Sequence, residues 1–480
     1  MADTKGLTVK KNENFSEWYS EVVQKAELAD LRYNVKGFLV FQPWSVMAME
    51  KMYKFMESVL QRKGHNPYWY PTLIPDGNFT KELSHVKGFT PQVFWVTKGG
   101  DKELEEKLAL RPTSETAFYQ MFALWIRSYK DLPFKTYQRA NVFRYETKAT
   151  RPFLRSREFH WIETHCAFAT SEGALNQVYE DMATSKEVLH DIFGLPFIIF
   201  ERPVWDVFPG ASRTFAADVL NPDGKVVQQP STHMIKQDFA RAFDIKYKDK
   251  DGKDKYVYTT CYGPSISRIF ASVVIVHGDD KGLRFPWEIA PKQIVIVPIG
   301  NDEKILKKAN ELSEKLKDFA DVLIDNSENS VGEKLNTWEL KGVPVRIDIG
   351  MKELNARKLS VFRRDLNKKE LIAEKDLLKY LVGVKKEFTS NLIAEADKLF
   401  VNRIKDAKNL AEIKKLIDAG NVVRCGFCSV LSDGASCAEK IEKETGAEVR
   451  GTNLEGEKAT GNCAVCGKRA QHVVYVARSY

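Results

Sequence analysis

The stretch that decides the fold is Tyr137-Gln-Arg-Ala-Asn-Val-Phe-Arg-Tyr-Glu146, which is followed along the chain by Arg157-Glu-Phe-His-Trp-Ile-Glu163. Both segments combine aromatic and β-branched residues with charged ones, as strands with one buried face do. The connector between them, residues 147–156, is polar and contains a proline, so it favours neither a strand nor a helix. We therefore predict a β-hairpin over residues 137–163.

The charged residues of this hairpin have the chemistry of a nucleotide site. Arg144 stands two residues before Glu146, and Arg155 precedes Phe159 at the far side of the connector. Arginine binds phosphate through parallel N–H groups, and a carboxylate with an aromatic ring can hold a nucleobase by hydrogen bonding and stacking. Taken alone, Arg144 and Glu146 also fit the alternative of a charged strand that faces solvent.

Length and composition limit the fold class. The chain has 480 residues, of which 43% are hydrophobic and 29% charged, so collagen-like, low-complexity and wholly disordered chains are excluded. A single hydrophobic core stops growing at roughly 250–300 residues, so we expect two or three domains. The formal net charge of +8 suits a polyanionic partner and equally a soluble basic enzyme.

The start of the chain and its cysteines indicate a compartment. Residues 1–14 are polar and lack the apolar core of a signal peptide, and apolar runs such as Ala271–Val276 are too short to span a bilayer. We therefore expect a soluble, cytoplasmic protein with no membrane partner. Five of the seven cysteines lie from residue 425 onward, which in such a compartment favours a zinc site over disulfides.

The first half of the chain mixes helices and strands. Apolar residues recur at helical spacing over residues 15–26 and 49–60, and a longer amphipathic helix is predicted over residues 171–194. Residues 68–75 read as a strand, in which Pro71 indicates an edge or a bend.

After Pro286 and Pro291 the pattern changes to strands that alternate with helices. Strands are predicted over 293–298, 322–325 and 343–349, and a helix over 301–319. This alternation favours a separate α/β domain with a largely parallel sheet, beginning near residue 289. A third unit begins near Lys385 with a helix over 388–408 and ends in the cysteine cluster.

Short motifs spread along the chain resemble those of a known family. They are Arg111-Pro-Thr-Ser-Glu-Thr116, Phe143-Arg-Tyr-Glu146, Phe153-Leu-Arg-Ser-Arg-Glu-Phe159, Phe208-Pro-Gly-Ala211, Thr260-Cys-Tyr-Gly-Pro-Ser-Ile-Ser-Arg268, His277-Gly-Asp-Asp-Lys-Gly282 and Ala477-Arg-Ser-Tyr480. Together they resemble class II aminoacyl-tRNA synthetases, and among these the prolyl-tRNA synthetases of the archaeal and eukaryotic kind. Two stretches depart from that pattern: Pro230-Ser-Thr-His233 replaces the usual Gly-Thr-Ser-His, and Cys261-Tyr-Gly-Pro264 is closer to the bacterial branch. The glycine-rich loops of the competing nucleotide-binding folds are absent from the sequence.

The resemblance implies an α+β multidomain fold in three parts. These are a class II catalytic domain on an antiparallel sheet (residues 1–288), an α/β anticodon-binding domain (289–384) and a small α/β zinc-binding C-terminal domain (385–480). The implied activity is ATP-dependent ligation of L-proline to tRNA(Pro) by a homodimer, through prolyl-adenylate with release of pyrophosphate. Mg²⁺ accompanies ATP, and no side-chain nucleophile is expected because the proline carboxylate itself attacks phosphorus.

The resemblance also implies the ATP contacts. Arg144 meets the α-phosphate and the proline carboxylate, Glu146 holds the adenine edge, and Arg268 joins Arg155 at the γ-phosphate. Arg144 and Arg268 are thereby the expected catalytic residues. The implied ATP-binding set is Arg144, Glu146, Arg155, Phe159, Gln228, Ser231 and Arg268. Gln229 remains an alternative to Gln228.

The implied proline pocket joins an acidic side to an apolar wall. A protonated pyrrolidine nitrogen needs an acceptor, which Glu115 and the Thr113 hydroxyl supply. The implied proline-binding set is Thr113, Glu115, Arg144, His233 and Ser265. Further candidates for its walls are Trp161, Glu163, His165 and Phe208.

Two more sites follow from the resemblance. Glu339, Arg346 and Lys352 are expected to read the two guanines of a proline anticodon, through pairings that suit unstacked bases. A charged strand end that faces solvent is the alternative for these three. The structural Zn²⁺ is expected on the cysteines that match the family pattern, Cys428, Cys437, Cys463 and Cys466. Spacing alone pairs Cys425-x-x-Cys428 with Cys463-x-x-Cys466 instead, so Cys425 remains a possible ligand.

One absence in the sequence bears on specificity. Bacterial-type relatives insert an editing domain between the second and third motifs, and the segment from Glu163 to Thr260 leaves no room for one. Because a proline pocket rejects the smaller alanine only weakly, we expect alanine activation without hydrolysis of alanyl-tRNA. The rival hypotheses are a sister class II synthetase for threonine, glycine or histidine, and a noncatalytic synthetase-like RNA-binding protein.

Overall fold

The structure, a computed structural model, describes residues 6–80, 93–147, 149–235 and 237–480, without the side chains of residues 79 and 80. The polar start predicted for the first residues therefore lies partly outside it, since residues 1–5 are not described. Among the described helices, none combines the length and the apolar character needed to cross a bilayer.

The helices are distributed over the whole of the described chain. They are α1 (Phe15–Lys25), α2 (Pro43–Arg62), α3 (Asp76–Thr80), α4 (Glu115–Trp125), α5 (Ser171–Ser185), α6 (Gln237–Ala242), α7 (Ile266–His277), α8 (Glu303–Leu316), α9 (Val331–Leu340), α10 (Met351–Ala356), α11 (Leu377–Val401), α12 (Leu410–Asp418) and α13 (Ala435–Thr445). The predictions for residues 15–26 and 49–60 are confirmed by α1 and α2. The predicted 171–194 helix is realised as α5 with a π-helical turn over Lys186–His190.

The strands fall into one large sheet and several smaller ones. They are β1 (Ala29–Asp30), β2 (Val40–Phe41), β3 (Asn66–Pro67), β4 (Leu73–Pro75), β5 (Phe94–Gly99), β6 (Lys102–Leu110), β7 (Phe134–Phe143), β8 (Glu158–Phe168), β9 (Ile198–Glu201), β10 (Ala211–Leu220), β11 (Lys225–Ile235), β12 (Lys246–Lys248), β13 (Asp254–Tyr256), β14 (Tyr258–Tyr262), β15 (Ile294–Pro298), β16 (Val322–Ile324), β17 (Val345–Ile349), β18 (Lys358–Arg363), β19 (Lys368–Ala373), β20 (Ile404–Ala407), β21 (Val422–Phe427), β22 (Glu448–Asn453) and β23 (His472–Ser479).

The large sheet is built around the predicted hairpin. Its order is β20-β21-β23-β22-β9-β10-β11-β14-β8-β7-β3, and β23 also pairs with β11. The hairpin prediction is confirmed, because β7 and β8 pair antiparallel from Phe134↔Ala167 to Phe143↔Glu158. The helices α1, α2 and α7 cover this sheet with a common apolar core that contains Trp18, Met52 and Phe270.

Of the strand predicted over residues 68–75, only residues 73–75 form a strand, β4, and Pro71 lies between β3 and β4. Before it, β3 pairs in parallel with β7 at the edge of the large sheet. After it, β4 pairs with β6 in a separate three-stranded sheet. The predicted edge or bend is confirmed, since a proline cannot donate to a ladder and the chain changes sheets there.

The α/β unit after residue 289 is present, but only part of its sheet is parallel. Its strand order is β16-β15-β17-β18-β19. The pairs β15–β16 and β15–β17 are parallel, whereas β17–β18 and β18–β19 are antiparallel. The prediction of a largely parallel sheet missed these last two strands, because the charged, polar composition of residues 358–373 gives no strong strand signal.

The helix α11 differs from the prediction at both ends. It runs from Leu377 to Val401, so the expected domain boundary at residues 384–385 lies inside it. The predicted helix over residues 388–408 is wrong after residue 401, because Ile404–Ala407 forms β20 and pairs with β21. The helix packs on the α/β unit through Leu381 and Phe388, and that burial fixes its start.

Candidate active site

Three arginines from separate segments meet over the large sheet. Arg144 follows β7, Arg155 lies in the hairpin connector, and Arg268 lies in the first turn of α7. Arg268 donates to the carbonyl oxygens of Gln228 at 3.1 Å and Leu154 at 3.4 Å. Burial and the charges of Arg144 and Arg155 lower the pKa of Arg268 to about 10. Such a group of cations is a site for a polyanion, because each positive charge raises the free energy of the others until an anion binds.

Aromatic rings and a carboxylate border this cluster. The guanidinium carbon of Arg144 lies 5.3 Å from the ring centre of Phe159 and 5.9 Å from that of Trp161, and the two rings meet edge to face. The carboxylate of Glu146 lies 4.0 Å from Nη1 of Arg155. The hairpin thus brings together the arginines, the carboxylate and the ring that the sequence assigned to a nucleotide.

A β-bulge in β11 decides which of its side chains face this site. Ala216 pairs with Ser231 and Asp218 pairs with Gln228, so the single residue Ala217 stands opposite two residues of β11. Side chains alternate along a strand, and the bulge lets Gln228 and Ser231 share a face although they are three positions apart.

The bulge also distinguishes Gln228 from Gln229. Gln228 accepts from Nη2 of Arg202 at 3.2 Å, and its carbonyl holds Arg268. Gln229 is buried and donates to the hydroxyl of Ser272 on α7, behind the sheet. The backbone of Gln228 therefore contacts the arginine cluster, while its side chain contacts Arg202 and that of Gln229 contacts α7.

Beside the arginines lies a buried acidic pocket. Thr113 donates to Glu115 and lies 3.1 Å from Glu163, which also accepts from the backbone N–H of Ser114 at 2.9 Å. His165 Nε2 lies 3.3 Å from the same carboxylate. One ligand atom each from Glu115, Glu163 and His165 lies within 4.8 Å of the others.

The two carboxylates of this pocket have opposite pKa shifts. Burial and the charge of Glu163 raise the pKa of Glu115. Burial also acts to raise the pKa of Glu163, but the neighbouring His165 and the hydrogen bond from the backbone N–H of Ser114 outweigh it and hold that pKa below its usual range. A cation that enters the pocket favours ionisation of both carboxylates, so the pocket suits a protonated amine.

His233 and Ser265 are the other two residues predicted for the proline pocket. His233 forms hydrogen bonds with Thr214 through Nδ1 (2.9 Å) and with Ser231 through Nε2 (3.1 Å), and its ring centre lies 4.6 Å from that of Phe208. Burial lowers the pKa of His233 to about 3, so the imidazole is neutral at physiological pH. Ser265 is buried at the N-cap of α7, next to the turn that carries Arg268.

The last residue of the chain reaches the arginine cluster. Strand β23 pairs in parallel with β11, which places Tyr480 beside the site. Nη2 of Arg155 donates to the terminal carboxylate of Tyr480 at 2.7 Å, and the Tyr480 hydroxyl donates to Asp223 at 2.5 Å. Sequence reasoning left this contact undecided, because only the three-dimensional path of β23 brings residues 325 positions apart into contact.

The predicted anticodon residues lie on the α/β unit. Arg346 is buried on β17, 3.2 Å from Glu339 and 2.8 Å from Asp348. Glu339 is at the end of α9 and also lies 3.5 Å from Lys281. Lys352 is exposed in the first turn of α10. Among these three predicted anticodon residues, the structure shows a direct contact between Glu339 and Arg346.

The structure brings four of the C-terminal cysteines together. The Sγ atoms of Cys428, Cys437, Cys463 and Cys466 all lie within 4.8 Å of one another, and those of Cys428 and Cys437 are 3.7 Å apart. Four thiolates about 2.3 Å from a tetrahedral Zn²⁺ are separated by roughly 3.8 Å, so the donor set fits zinc. Cys425 is outside this group and is buried in the hydrophobic core of the same unit.

Comparisons with known proteins identify the family. The family model described as "tRNA synthetase class II core domain (G, H, P, S and T)" matches residues 94–277. "Anticodon binding domain" matches residues 293–383, and "Prolyl-tRNA synthetase, C-terminal" matches residues 410–480. The proline–tRNA ligase of Thermofilum pendens is 47% identical over 99% of both chains.

The chain belongs to the prolyl-tRNA synthetase family. The proline–tRNA ligase of Methanobrevibacter smithii is 42% identical over 98% of this chain and 100% of its own. The prolyl-tRNA synthetase of Giardia lamblia, solved in complex with prolyl-adenylate, superposes with a TM-score of 0.95 at 35% identity, over 99% of this chain and 100% of its own. The predicted family and fold class are therefore confirmed.

Sequence reasoning missed Thr214, the partner that orients His233 in this synthetase fold. The turn Pro222-Asp-Gly224 marks a hairpin between β10 and β11, and counting back from it pairs Thr214 with Thr232. The bulge shifts the register by one, so that Thr214 faces His233. The turn gave a usable signal, but a bulge has no reliable signature in a single sequence.

Proposed function

We propose that this chain joins L-proline to tRNA(Pro) in two steps. In the first, a carboxylate oxygen of proline bonds to the α-phosphorus of ATP, and the bond to the bridging oxygen breaks, which releases pyrophosphate. In the second, a terminal ribose hydroxyl of tRNA attacks the prolyl carbonyl and AMP leaves. The observation that carries the proposal is that a polyanion site and a pocket for a protonated amine adjoin on one sheet.

The arginine cluster supplies the charge that adenylate formation needs. Arg144 lies between the two sites, because its Nε donates to the carbonyl of Pro112, next to Thr113, at 3.1 Å and its guanidinium lies 5.3 Å from the ring centre of Phe159. It is therefore assigned to the α-phosphate and the proline carboxylate. Arg155 and Arg268 hold the γ-phosphate end. Positioned cations at the developing charge account for most catalysis of this kind, so Arg144 and Arg268 are the catalytic residues.

The rest of the nucleotide lies along the hairpin and β11. Phe159 stacks on adenine, while Glu146 accepts from its exocyclic amine. Gln228 and Ser231, on the face set by the bulge, contact the ribose and phosphate side. Mg²⁺ bound with ATP neutralises the leaving pyrophosphate.

The proline pocket recognises the secondary ammonium group and the small ring of proline. Glu115 and Thr113 accept from the ring nitrogen, and His233 and Ser265 line the side toward the carboxylate. Trp161 and Phe208 are apolar walls, while Glu163 and His165 hold Thr113 and Glu115 in place. The neutral His233 avoids repulsion of the substrate ammonium.

Amino-acid-dependent exchange of pyrophosphate into ATP tests the activity. Purified full-length protein is assayed against all twenty amino acids without tRNA. A dominant proline signal with a weaker alanine signal is expected. A dominant threonine, glycine or histidine signal would point to a sister synthetase, and silence from folded protein would favour a noncatalytic RNA-binding role.

The proline pocket is expected to admit alanine. We expect this chain not to hydrolyse the alanyl-tRNA(Pro) that results. Between Glu163 and Thr260, the described residues are used by α5, β9, β10, β11 and α6 of the core itself. Incubation with alanyl-tRNA(Pro) is therefore expected to give only the uncatalysed rate of hydrolysis. Faster deacylation by the pure protein would refute this part of the proposal.

Recognition of tRNA is proposed for the α/β unit. Glu339 pairs with the N1 and N2 donors of an anticodon guanine, and Arg346 with Lys352 contacts O6 and N7. Charging of transcripts in which either guanine is replaced by adenine is expected to fall at least tenfold, since each base contact is worth about 1–3 kcal/mol. Equal charging of both transcripts would remove these residues from recognition.

Three further expectations belong to this proposal. The domains divide near residues 289 and 385, with α11 shared across the second boundary. The four clustered cysteines hold a structural Zn²⁺, since a site closed by four protein ligands has no position for substrate. The enzyme acts in the cytoplasm, where cell fractionation should place it with the tRNA pool.

A homodimer is supported by an exposed apolar surface at the edge of the large sheet. Trp69 is 91% exposed beside β3, and Leu124 and Trp125 at the end of α4 are also exposed. An open strand edge and large exposed apolar side chains together favour burial against a second copy. Trp69→Glu is expected to yield monomers in sedimentation velocity, whereas Leu371→Glu, an exposed apolar position elsewhere, leaves the dimer intact.

A further inference from the structure

A separate cavity of about 280 Å³ lies behind the large sheet. It is formed where the N-terminal segment meets the end of α7, the turn after β10 and the last part of α11. Its lining includes none of the residues proposed for ATP, proline, anticodon or zinc. A ligand of this cavity therefore contacts the catalytic part of the chain and the end of α11 without entering the active site.

The walls of the cavity are mainly apolar. Leu220, Val276, Leu399 and Phe400 line it together with two prolines and an alanine, and no acidic residue is among its described lining residues. Leu399 is 58% exposed although it borders this apolar space. Small-molecule sites have this composition, with few polar groups that fix orientation.

The polar side chains of the cavity are those of Asn12 and of two cations, Lys11 and Arg403. Nζ of Lys11 donates to the carbonyl of Gly278 at 2.6 Å. Arg403 donates to the carbonyls of Asn221 at 3.2 Å and Pro222 at 3.0 Å. Within the described residues neither side chain forms an ion pair.

Two of the acidic groups near Lys11 are bound to arginines, and a third, Asp280, accepts from the backbone N–H of Lys11 at 2.8 Å. Asp279 pairs with Arg364 at 2.6 Å, and Glu395 pairs with Arg284 at 2.8 Å. Burial and the charge of Arg284 lower the pKa of Lys11 to about 8, although Asp279, Asp280 and Glu395 oppose that shift. Backbone carbonyls satisfy N–H groups but do not neutralise charge, so an anion at this wall lowers the free energy of both cations.

We propose that this cavity binds a small amphipathic monocarboxylate. Its carboxylate accepts from Lys11 and Arg403, and its apolar body packs on Val276, Leu220 and Phe400. A phosphate dianion fits less well, because it needs several N–H donors and backbone carbonyls already accept from some of the N–H groups of Lys11 and Arg403. The bound molecule joins α11 to α7.

Calorimetric titration of the full-length, zinc-loaded protein tests this site. Octanoate is the probe, and octanamide is its neutral match in size. Octanoate is expected to bind with one-to-one saturation and at least tenfold more tightly than octanamide. No saturation by octanoate at millimolar concentration, or equal affinity for the two compounds, would overturn the proposal.

Three variants locate the site and separate it from misfolding. Lys11→Gln and Arg403→Gln are each expected to weaken octanoate at least tenfold. Leu399→Trp fills the cavity from an exposed position, so it is expected to abolish binding with an unchanged melting temperature. Arg62→Gln, which removes a cation at the exposed end of α2, is the matched control. Unchanged octanoate affinity in all three cavity variants would exclude this cavity.

Discussion

At the scale of single residues, Arg268 matters because its guanidinium binds backbone carbonyls and forms no ion pair with a carboxylate of the described residues. The guanidinium of Arg268 donates to backbone carbonyls, while the buried Arg202 and Arg450 share the carboxylate of Asp218. An arginine that is already paired with a carboxylate gains little binding free energy from a phosphate. Arg268 gains more, because the phosphate is its first negatively charged partner. Its position at the start of α7 adds the positive end of the helix dipole.

Arg268→Gln tests this electrostatic role. Removal of one charge-stabilising donor typically lowers the rate about 10²–10³-fold, so the proline-dependent exchange rate is expected to fall by that factor. The measurement is pyrophosphate exchange at saturating ATP, with the melting temperature as a check of folding. Arg62→Gln is the control and keeps full activity. A loss below threefold would show that Arg268 does not meet the reacting phosphates.

Asp181 gives a pH-dependent prediction behind the site. Its carboxylate is buried on α5 and accepts from Thr232 at 2.7 Å and Gln177 at 2.8 Å. Burial raises its pKa to about 7, so its contribution to stability is present below about pH 4 and is lost as the pH rises to 7.

The comparison of wild type with Asp181→Asn measures this effect. Between pH 4 and 7, the free energy of unfolding of the wild type should fall relative to the variant by up to about 1.4 kcal/mol per pH unit. Denaturant titrations at several pH values give the slope. Asp238→Asn, at an exposed position, is the control, and its free energy of unfolding relative to the wild type should not change with pH in this way. A flat difference for Asp181→Asn would mean that the group ionises normally.

At the scale of elements, the strands β11 and β23 assemble the site from both ends of the chain. The bulge in β11 turns Gln228 and Ser231 to one face, and β23 runs beside β11 and delivers the terminal carboxylate to Arg155. A free carboxylate can hold that arginine in position while leaving its other N–H groups for phosphate.

Deletion of residues 478–480 tests this contact. A charged hydrogen bond contributes about 1.5–3 kcal/mol, so the KM for ATP in adenylate formation is expected to rise about tenfold or more. Tyr480→Phe keeps the carboxylate and loses only the hydroxyl bond to Asp223, so its KM should change less than threefold. Unchanged kinetics after the deletion would make the terminus an ordinary tail.

At the scale of the whole molecule, ion pairs and the cysteine cluster connect parts that are distant in sequence. The large sheet continues from the catalytic strands into β22, β23, β21 and β20, so the C-terminal unit is an extension of the same sheet. Arg364 is fully buried and pairs with Asp279 across the contact with the α/β unit. Local unfolding of the C-terminal unit is therefore expected to reach the active site through β23.

Metal content tests the zinc assignment. Cys425→Ser is expected to keep one zinc per chain, whereas Cys463→Ser should lose most of it and lower the melting temperature, because metal binding contributes folding energy. Mass spectrometry of the purified variants measures the metal. Loss of zinc from Cys425→Ser, with Cys437→Ser unaffected, would reverse the choice of ligands.

The sequence by itself determined the local elements and the family. Apolar spacing fixed α1 and α2, the strand composition of residues 137–163 fixed the hairpin, and Pro71 marked the change of sheet, since each signal acts within one element. Only the tertiary structure decided the register of β11, the extent of α11, the docking of Tyr480 and which four cysteines lie together. These depend on contacts between residues far apart in the chain, whose free energy is gained only once the sheets and helices have packed.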